Sequence, residues 1–231
     1  APRPALKAAV RGRNMEQKTY ALGQRYIGAG QSEGTIILNE VPGNALGAYL
    51  DGANIIVNCS AQDATGDTMN AGEITIHGST GDAAGYAMRG GAIYVQGDAG
   101  YRAGIHMKEY KEKVPVLVIG GRTGSFLGEY QAGGIIVVLG IGSEDSQPVG
   151  NFCGTGMHGG RIYLRTAHLP KDLPEQVVAH KATEGDMQIA APLIQNYAEK
   201  FGADAESLLR DEYYVLRPNT QNPYKQLYVT N

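Results

Sequence analysis

"ITIHGSTGDAAGYAMRGGAIYVQGDAGYRAGIHM", residues 74–107, repeats itself. Ile74 and Ile93, His77 and Gln96, Gly85 and Gly104, and Met88 and Met107 each stand 19 residues apart. Outward from this stretch, apolar triplets begin at Ile36, Ile55, Ile74 and Ile93, and continue at Val116, Ile135 and Ile162 after short insertions. The first and third positions of every triplet are aliphatic. The middle column, Ile37, Ile56, Thr75, Tyr94, Leu117, Ile136 and Tyr163, is mixed. Side chains alternate across a strand, so the outer columns are expected to face inward and the middle column outward.

Glycine keeps the same beat at Gly47, Gly66, Gly85 and Gly104, with Gly128 and Gly154 in the same slot later on. Three residues beyond stand Leu50, Met69, Met88, Met107 and Met157. One strand triplet, one glycine corner and one further apolar anchor per unit predict an all-β solenoid, a parallel β-helix of about seven coils stacked at about 4.8 Å. Asn39, Asn58, His77 and Gln96 share a column and read as a polar ladder from coil to coil. Asn44, Asp63, Asp82 and Asn151 precede the corner glycine by three, where a short side chain can bond its own turn. The gap from Ile93 to Val116 exceeds the period by four, assigned to Tyr110–Lys113, and that from Ile135 to Ile162 by eight, assigned to Ile141–Pro148.

The chain divides into a lead-in over 1–30, the repeat domain over 31–167 and a tail over 168–231. A short helix is expected after Asn14, whose side chain and Gln17 suit a capping box. In the tail, Ala190, Leu193, Ile194, Tyr197 and Phe201 recur at helical spacing with Gly202 as a stop, and Pro192 must sit in the first turn or split the helix. A second helix is expected near 205–210, with an extended end after it. The outward middle column is too apolar for open solvent, so the tail or a partner should cover it.

Composition narrows the function. Lys plus Arg number 20 against 23 Asp plus Glu, with no basic run, which disfavours nucleic acid and anionic membranes as partners. No apolar stretch is long enough to span a bilayer, and the first residues lack a signal-peptide core, so a cytoplasmic location is expected. Cys59 and Cys153 lie far apart without metal-ligand spacing, and the sequon at Asn58 to Ser60 is expected to be silent in that location.

"NFCGTGMHGGRIYL", residues 151–164, carries Gly154, Gly156 and Gly159 in the spacing of a dinucleotide-binding fingerprint. That fingerprint needs a helix after its last glycine, and "RIYL" reads as a strand. The run fits better as one more corner: Asn151 in the turn slot, Gly154 in the glycine slot, Met157 in the methionine slot, with Gly159 and Gly160 leading into the strand. His77, His106 and His158 lie in different columns, which argues against a shared metal. Asp63 and Asp82 invite a calcium or acid–base reading that turn chemistry explains as well. Arg89 beside Lys108 could attract an anion or an acidic partner residue. No GxSxG motif is present, and no Ser or Cys can be tied to a His and an acid. The sequence therefore assigns no catalytic, cofactor-binding or metal-ligating residue.

"GNALGAYLDG", "GYAMRGGAIYV" and above all "GNFCGTGMHGGRIYL" resemble the C-terminal GXGXG domain of the glutamate synthase large subunit, with "RYIGAGQSEGTIIL" matching its approach to the first coil. The resemblance covers about residues 20 to 166 and implies a right-handed parallel β-helix. It also implies a noncatalytic role: glutamine hydrolysis in that enzyme belongs to an amidotransferase domain, and ammonia addition to 2-oxoglutarate to a synthase domain holding FMN and an iron–sulfur cluster. The chain then looks like a separate subunit, itself without cofactor, that scaffolds glutaminase-like and FMN/iron–sulfur partner subunits of an oxidoreductase complex. The corresponding subunit of formylmethanofuran dehydrogenases and a subunit of the N-methylglutamate synthase complex are similar to it as well. An independent enzyme, a metal-binding solenoid and a self-assembling homo-oligomer are the remaining alternatives.

Overall fold

A computed structural model describes residues 15–18, 20–143 and 146–219. The strands are β1 (Met15–Lys18), β2 (Thr35–Leu38), β3 (Asp51–Val57), β4 (Ala71–Ile76), β5 (Ala92–Val95), β6 (Val116–Ile119), β7 (Ala132–Val138), β8 (Gly159–Arg165), β9 (Val177–Lys181) and β10 (Tyr213–Pro218). Two helices, α1 (Glu184–Phe201) and α2 (Ala205–Arg210), lie between β9 and β10. All ten strands join one sheet in the order β1-β2-β3-β4-β5-β6-β7-β8-β10-β9. Pairing from β1 to β8 is parallel, and β10 is antiparallel to both β8 and β9.

This corrects the fold class. In place of an all-β parallel β-helix of seven coils, the chain forms a sheet-dominated structure, one mostly parallel ten-stranded sheet with an antiparallel end and two helices. The repeat dictates which strands are neighbours and in what register. It carries no information on β9 and β10, which come from the aperiodic tail.

Where the period holds, the register follows it: Ile36 lies beside Ile55, Ile55 beside Ile74 and Ile74 beside Ile93. After the first insertion the expected alignment is off by one, because Ile93 pairs with Leu117 and Leu117 with Ile136. A one-residue slip exchanges the faces of a strand. Leu117, Ile119, Ile136 and Val138 accordingly point into the core with Ile36, Leu38, Ile55 and Ile74, and Val118 and Val137 point to the other face. Glycine spacing already contained the correction, since Gly104 to Gly128 is 24 residues and Ile93 to Leu117 is also 24.

The sheet separates two apolar clusters. On one side the triplets meet Leu50, Met69, Met88, Met107 and Met157, all essentially sealed from solvent. Burying each of these side chains contributes roughly 1.5–3 kcal/mol. On the other, Tyr94, Val118, Val137 and Tyr163 are covered by Ala190, Ile194 and Tyr197 of α1, Leu208 of α2, and Tyr213 and Val215 of β10. The tail thus covers much of the outward column, while Ile37 and Ile56 remain half-buried.

Two local expectations are also corrected. Residues 15–18 form strand β1 beside β2, in place of a helix after Asn14; residues 1–14 lie outside the described residues. Pro192 sits in the middle of α1, which runs unbroken. The proline removes one helical hydrogen bond and crowds the preceding turn, at a cost of about 3 kcal/mol. That cost is offset by the buried face of the helix and by its ends, a capping box between Thr183 and Asp186 and a left-handed Gly202.

Candidate functional site

Each corner alternates in backbone sign. The slot two residues before the glycine, the glycine itself and the slot two residues after it all have positive φ, as in Ala83 (56°), Gly85 (70°) and Ala87 (52°). The alternation turns successive N–H groups toward opposite neighbours. Ala83 donates to Tyr101 O, Gly85 to Thr65 O and Ala87 to Ile105 O, so a corner within the repeat is bonded to the units on both sides, while at the last corner Gly154 N reaches back to Leu127 O and Phe152 N meets the Asp172 carboxylate. Residues with a Cβ occupy the two flanking slots in most repeats, so positive φ alone does not explain the invariant central glycine. Space does: a Cβ at Gly47 would lie 2.6 Å from Ile74 Cδ1, at Gly104 2.5 Å from Ile136 Cδ1 and at Gly128 2.7 Å from Ile162 Cδ1. At Gly66 it would fall on Ile93, at Gly85 3.0 Å from Met88 Sδ, and at Gly154 2.9 Å from Val177.

The last corner differs. Gly156 stands where other repeats carry Tyr49, Thr68, Ala87, His106 and Tyr130, and a Cβ there would come 2.6 Å from the Tyr130 ring at Cε1. Gly159 and Gly160 open β8, crowded respectively by Ala132 and by the Gln131 side chain. Met157 is buried in the methionine slot. Gln131 occupies that slot one repeat earlier. Its Nε2 donates to Gly133 O (3.2 Å) and Gly134 O (3.1 Å), closing the bulge between Ala132 and Ile135.

The polar column divides. Asn58 Nδ2 donates to Asn39 Oδ1 at 2.7 Å. His77 instead meets the Phe201 ring edge-on at 5.1 Å, and burial together with Lys200 lowers its pKa. Gln96 accepts the Tyr197 hydroxyl on its backbone carbonyl at 3.0 Å. The turn carboxylates act between repeats, whereas the sequence suggested bonding within a turn: Asp63 Oδ1 accepts from Asp82 N (2.9 Å) and Asp82 Oδ1 from Tyr101 N (2.8 Å). Asn151 donates its own N–H to Ser125 Oγ at 3.1 Å.

The structure reveals a feature that the separate columns did not disclose. In the later repeats the two positive-φ slots flanking the glycine carry rings and charge. In the slot before it, Phe126 and Phe152 pack at 5.0 Å, Tyr101 meets Phe126 at 5.3 Å, and the Arg102 guanidinium lies 4.7 Å over Tyr101. In the slot after it, the His106 and Tyr130 rings stack at 5.1 Å and 13°, with Tyr86 edge-on to His106 at 5.9 Å. Arg102 Nε pairs with Glu129 at 2.7 Å between the two rows. Tyr86, Tyr130 and Phe152 are 39%, 46% and 48% exposed. The signal was present in the column Ala45, Ala64, Ala83, Arg102, Phe126, Phe152, which grows from methyl to ring along the chain.

Other reactive groups are sequestered or engaged. Burial, reinforced by Asp172, pushes the Cys153 thiol up to about 12. A cavity of about 190 Å³ lined by Gly140, Ser143, Arg165 and Asp211 has its guanidinium engaged, by Asp211 at 2.6 Å and by Leu139 O at 2.7 Å. Among the described residues no group of three or more His, Cys, Asp or Glu is placed to hold a metal, and no helix is long and apolar enough to cross a membrane.

A sheet built from glycine-cornered repeats, with its ring-bearing surface at those corners, defines the class. The chain belongs to the GXGXG motif family, whose pattern matches residues 12–220. An uncharacterized protein of Methanocaldococcus jannaschii is 44% identical over 131 residues, 54% of this chain and 50% of that protein. The chain thus matches about half the length of that relative. A structure of the formyltransferase/hydrolase complex from Methylorubrum extorquens, solved with methylofuran, contains a chain similar in fold at a TM-score of 0.64 and 22% identity. The match covers 88% of this chain and 73% of that one.

Proposed function

We propose that the chain is a noncatalytic structural component of a multi-subunit assembly, holding catalytic subunits in a fixed relation. The observation that carries this reading is the ring-bearing corner surface, which leaves aromatic side chains exposed on a backbone bonded to its neighbours on both sides. Membership of the GXGXG family and the run from Asn151 to Gly160 support a glutamate-synthase-type assembly. In that assembly a glutaminase-like subunit releases ammonia, and a separate synthase subunit adds it to 2-oxoglutarate. FMN and iron–sulfur chemistry then belong to the synthase subunit, and this chain supplies the frame.

A formylmethanofuran-type assembly has equal support, because the fold likeness is to a chain of a formyltransferase/hydrolase complex. Native mass spectrometry of the complex recovered through a tagged full chain separates the two by the identity of the co-purified subunits. A chain that stays alone and by itself forms glutamate from glutamine and 2-oxoglutarate overturns the scaffold reading. So does a loss of such activity in His77→Ala, Cys153→Ala or His158→Ala at unchanged melting temperature.

A further inference from the structure

We infer that the corner face bearing Arg89, Lys108, His106 and Tyr130 docks an acidic segment of a partner subunit, an assignment that rests on the scaffold reading above. Arg89 and Lys108 occupy the same slot in adjacent repeats. Arg89 N donates to Met69 O at 2.8 Å and Lys108 N to Met88 O at 2.9 Å, so the two side chains leave neighbouring rungs of one ladder. Both are exposed, and neither has an ion-pair partner among the described residues. Lys113 adds a third cation beside them: its Cβ lies 3.0 Å from where a Cβ on Gly90 would stand, and its ammonium reaches Asp51 only at 3.5 Å.

Like charges on adjacent rungs repel, and the nearby acids are largely committed elsewhere. Glu109 accepts from Gly134 N at 3.0 Å, Glu129 is held by Arg102 at 2.7 Å and Asp67 accepts the Thr68 hydroxyl at 2.8 Å. Glu112 is the remaining exposed acid of the insertion. Carboxylates supplied from outside would relieve this imbalance.

The rings beside the cations make the site suited to protein. His106 is stacked on Tyr130, and Tyr130 is seated on Gly156, where no Cβ intervenes. Rings already fixed by packing lose little conformational freedom on binding, and Tyr with Arg is the composition of interface hot spots. The occupant is therefore an exposed partner segment with Asp or Glu flanked by apolar side chains. The acids would meet the cation row, and the apolar groups would lie on Tyr130 and Tyr86.

The test uses the complex recovered through the tagged full chain and, on the same full chain freed of its partner, a fluorescein-labelled Glu–Tyr copolymer peptide as the defined probe. Arg89→Glu/Lys108→Glu is compared with Arg122→Glu, an exposed cation in another corner slot. Native mass spectrometry should show the partner-bound fraction falling on the order of tenfold for the double variant alone. Peptide anisotropy should fall in parallel and weaken with salt. If the reversal prevents folding, Arg89→Gln/Lys108→Gln carries the same comparison at unchanged melting temperature.

Partner binding that survives the double variant, or is lost equally in Arg122→Glu, overturns the assignment and leaves the scaffold reading standing. Displacement of the peptide by an equal concentration of inorganic phosphate overturns it in favour of a small-anion site. Loss of a homodimer overturns it in favour of a second copy. A chain that carries no partner at all overturns both readings.

Discussion

At Gly104, φ is 69°, yet Arg102 and His106 on either side adopt 58° and 57° with full side chains. What separates the positions is room: Ile136 Cδ1 lies 2.5 Å from where a Cβ on Gly104 would stand. Left-handed backbone costs an L residue about 1–2 kcal/mol, and forcing a branched side chain into a packed core adds roughly 1–3 kcal/mol. Gly104→Val is therefore expected to lose about 3 kcal/mol or more in urea unfolding, while Ala87→Gly in the flanking slot should stay within about 1 kcal/mol. A loss in Gly104→Val of no more than the about 1–2 kcal/mol that left-handed backbone alone costs would show that conformation, and not space, governs the central slot. Asp82 offers a second residue-scale test. Its carboxylate accepts from Tyr101 N across repeats, so Asp82→Ala should lose about 1–2 kcal/mol by leaving that N–H without its partner. No measurable change would show that the carboxylate ladder contributes nothing to stability.

At the scale of elements, α1 decides which outward residues are buried. Tyr197 donates its hydroxyl to Gln96 O, Lys200 bonds Glu73 at 2.6 Å and lies 5.0 Å over the Tyr94 ring, and Phe201 meets His77. Tyr197→Phe should lose about 1 kcal/mol through the unpaired carbonyl. The N-terminus of α1 is pH-sensitive through Asp186. Burial acts to raise its pKa, but the Thr183 N–H and hydroxyl, His180 and Arg217 outweigh that and hold it at about 2, below the ordinary 3.8. A depressed carboxylate stabilises above its unfolded pKa, and that stability is lost as pH falls from about 4 toward 2. Asp186→Asn should therefore lower stability by about 2 kcal/mol at neutral pH, with the gap to the parent narrowing toward pH 2. A gap independent of pH would assign the effect to hydrogen bonding alone. This element was partly legible. The apolar spacing over 190–201 and the Gly202 stop marked α1. Its passage through Pro192 was not legible, because the compensating contacts come from strands distant in sequence.

For the whole molecule, the period of 19 made strand adjacency legible from β2 to β5, and glycine spacing held the register beyond. The antiparallel end was hidden because β9 and β10 lie outside the repeat and are joined through two helices. The surface at the corners was half legible: Arg89 and Lys108 stood out as a pair, whereas the stacked rings emerge only once the two positive-φ slots are seen to project side by side. The sheet carries its own tail over much of one face and exposes rings along its corners, the arrangement on which the scaffold proposal rests. The direct measurement is native mass spectrometry of the complex recovered through the tagged full chain, before and after Arg89→Glu/Lys108→Glu. A scaffold predicts a defined assembly with catalytic subunits around the parent chain, and the docking assignment predicts that the variant releases them. A lone chain that turns over substrate by itself would contradict the scaffold reading.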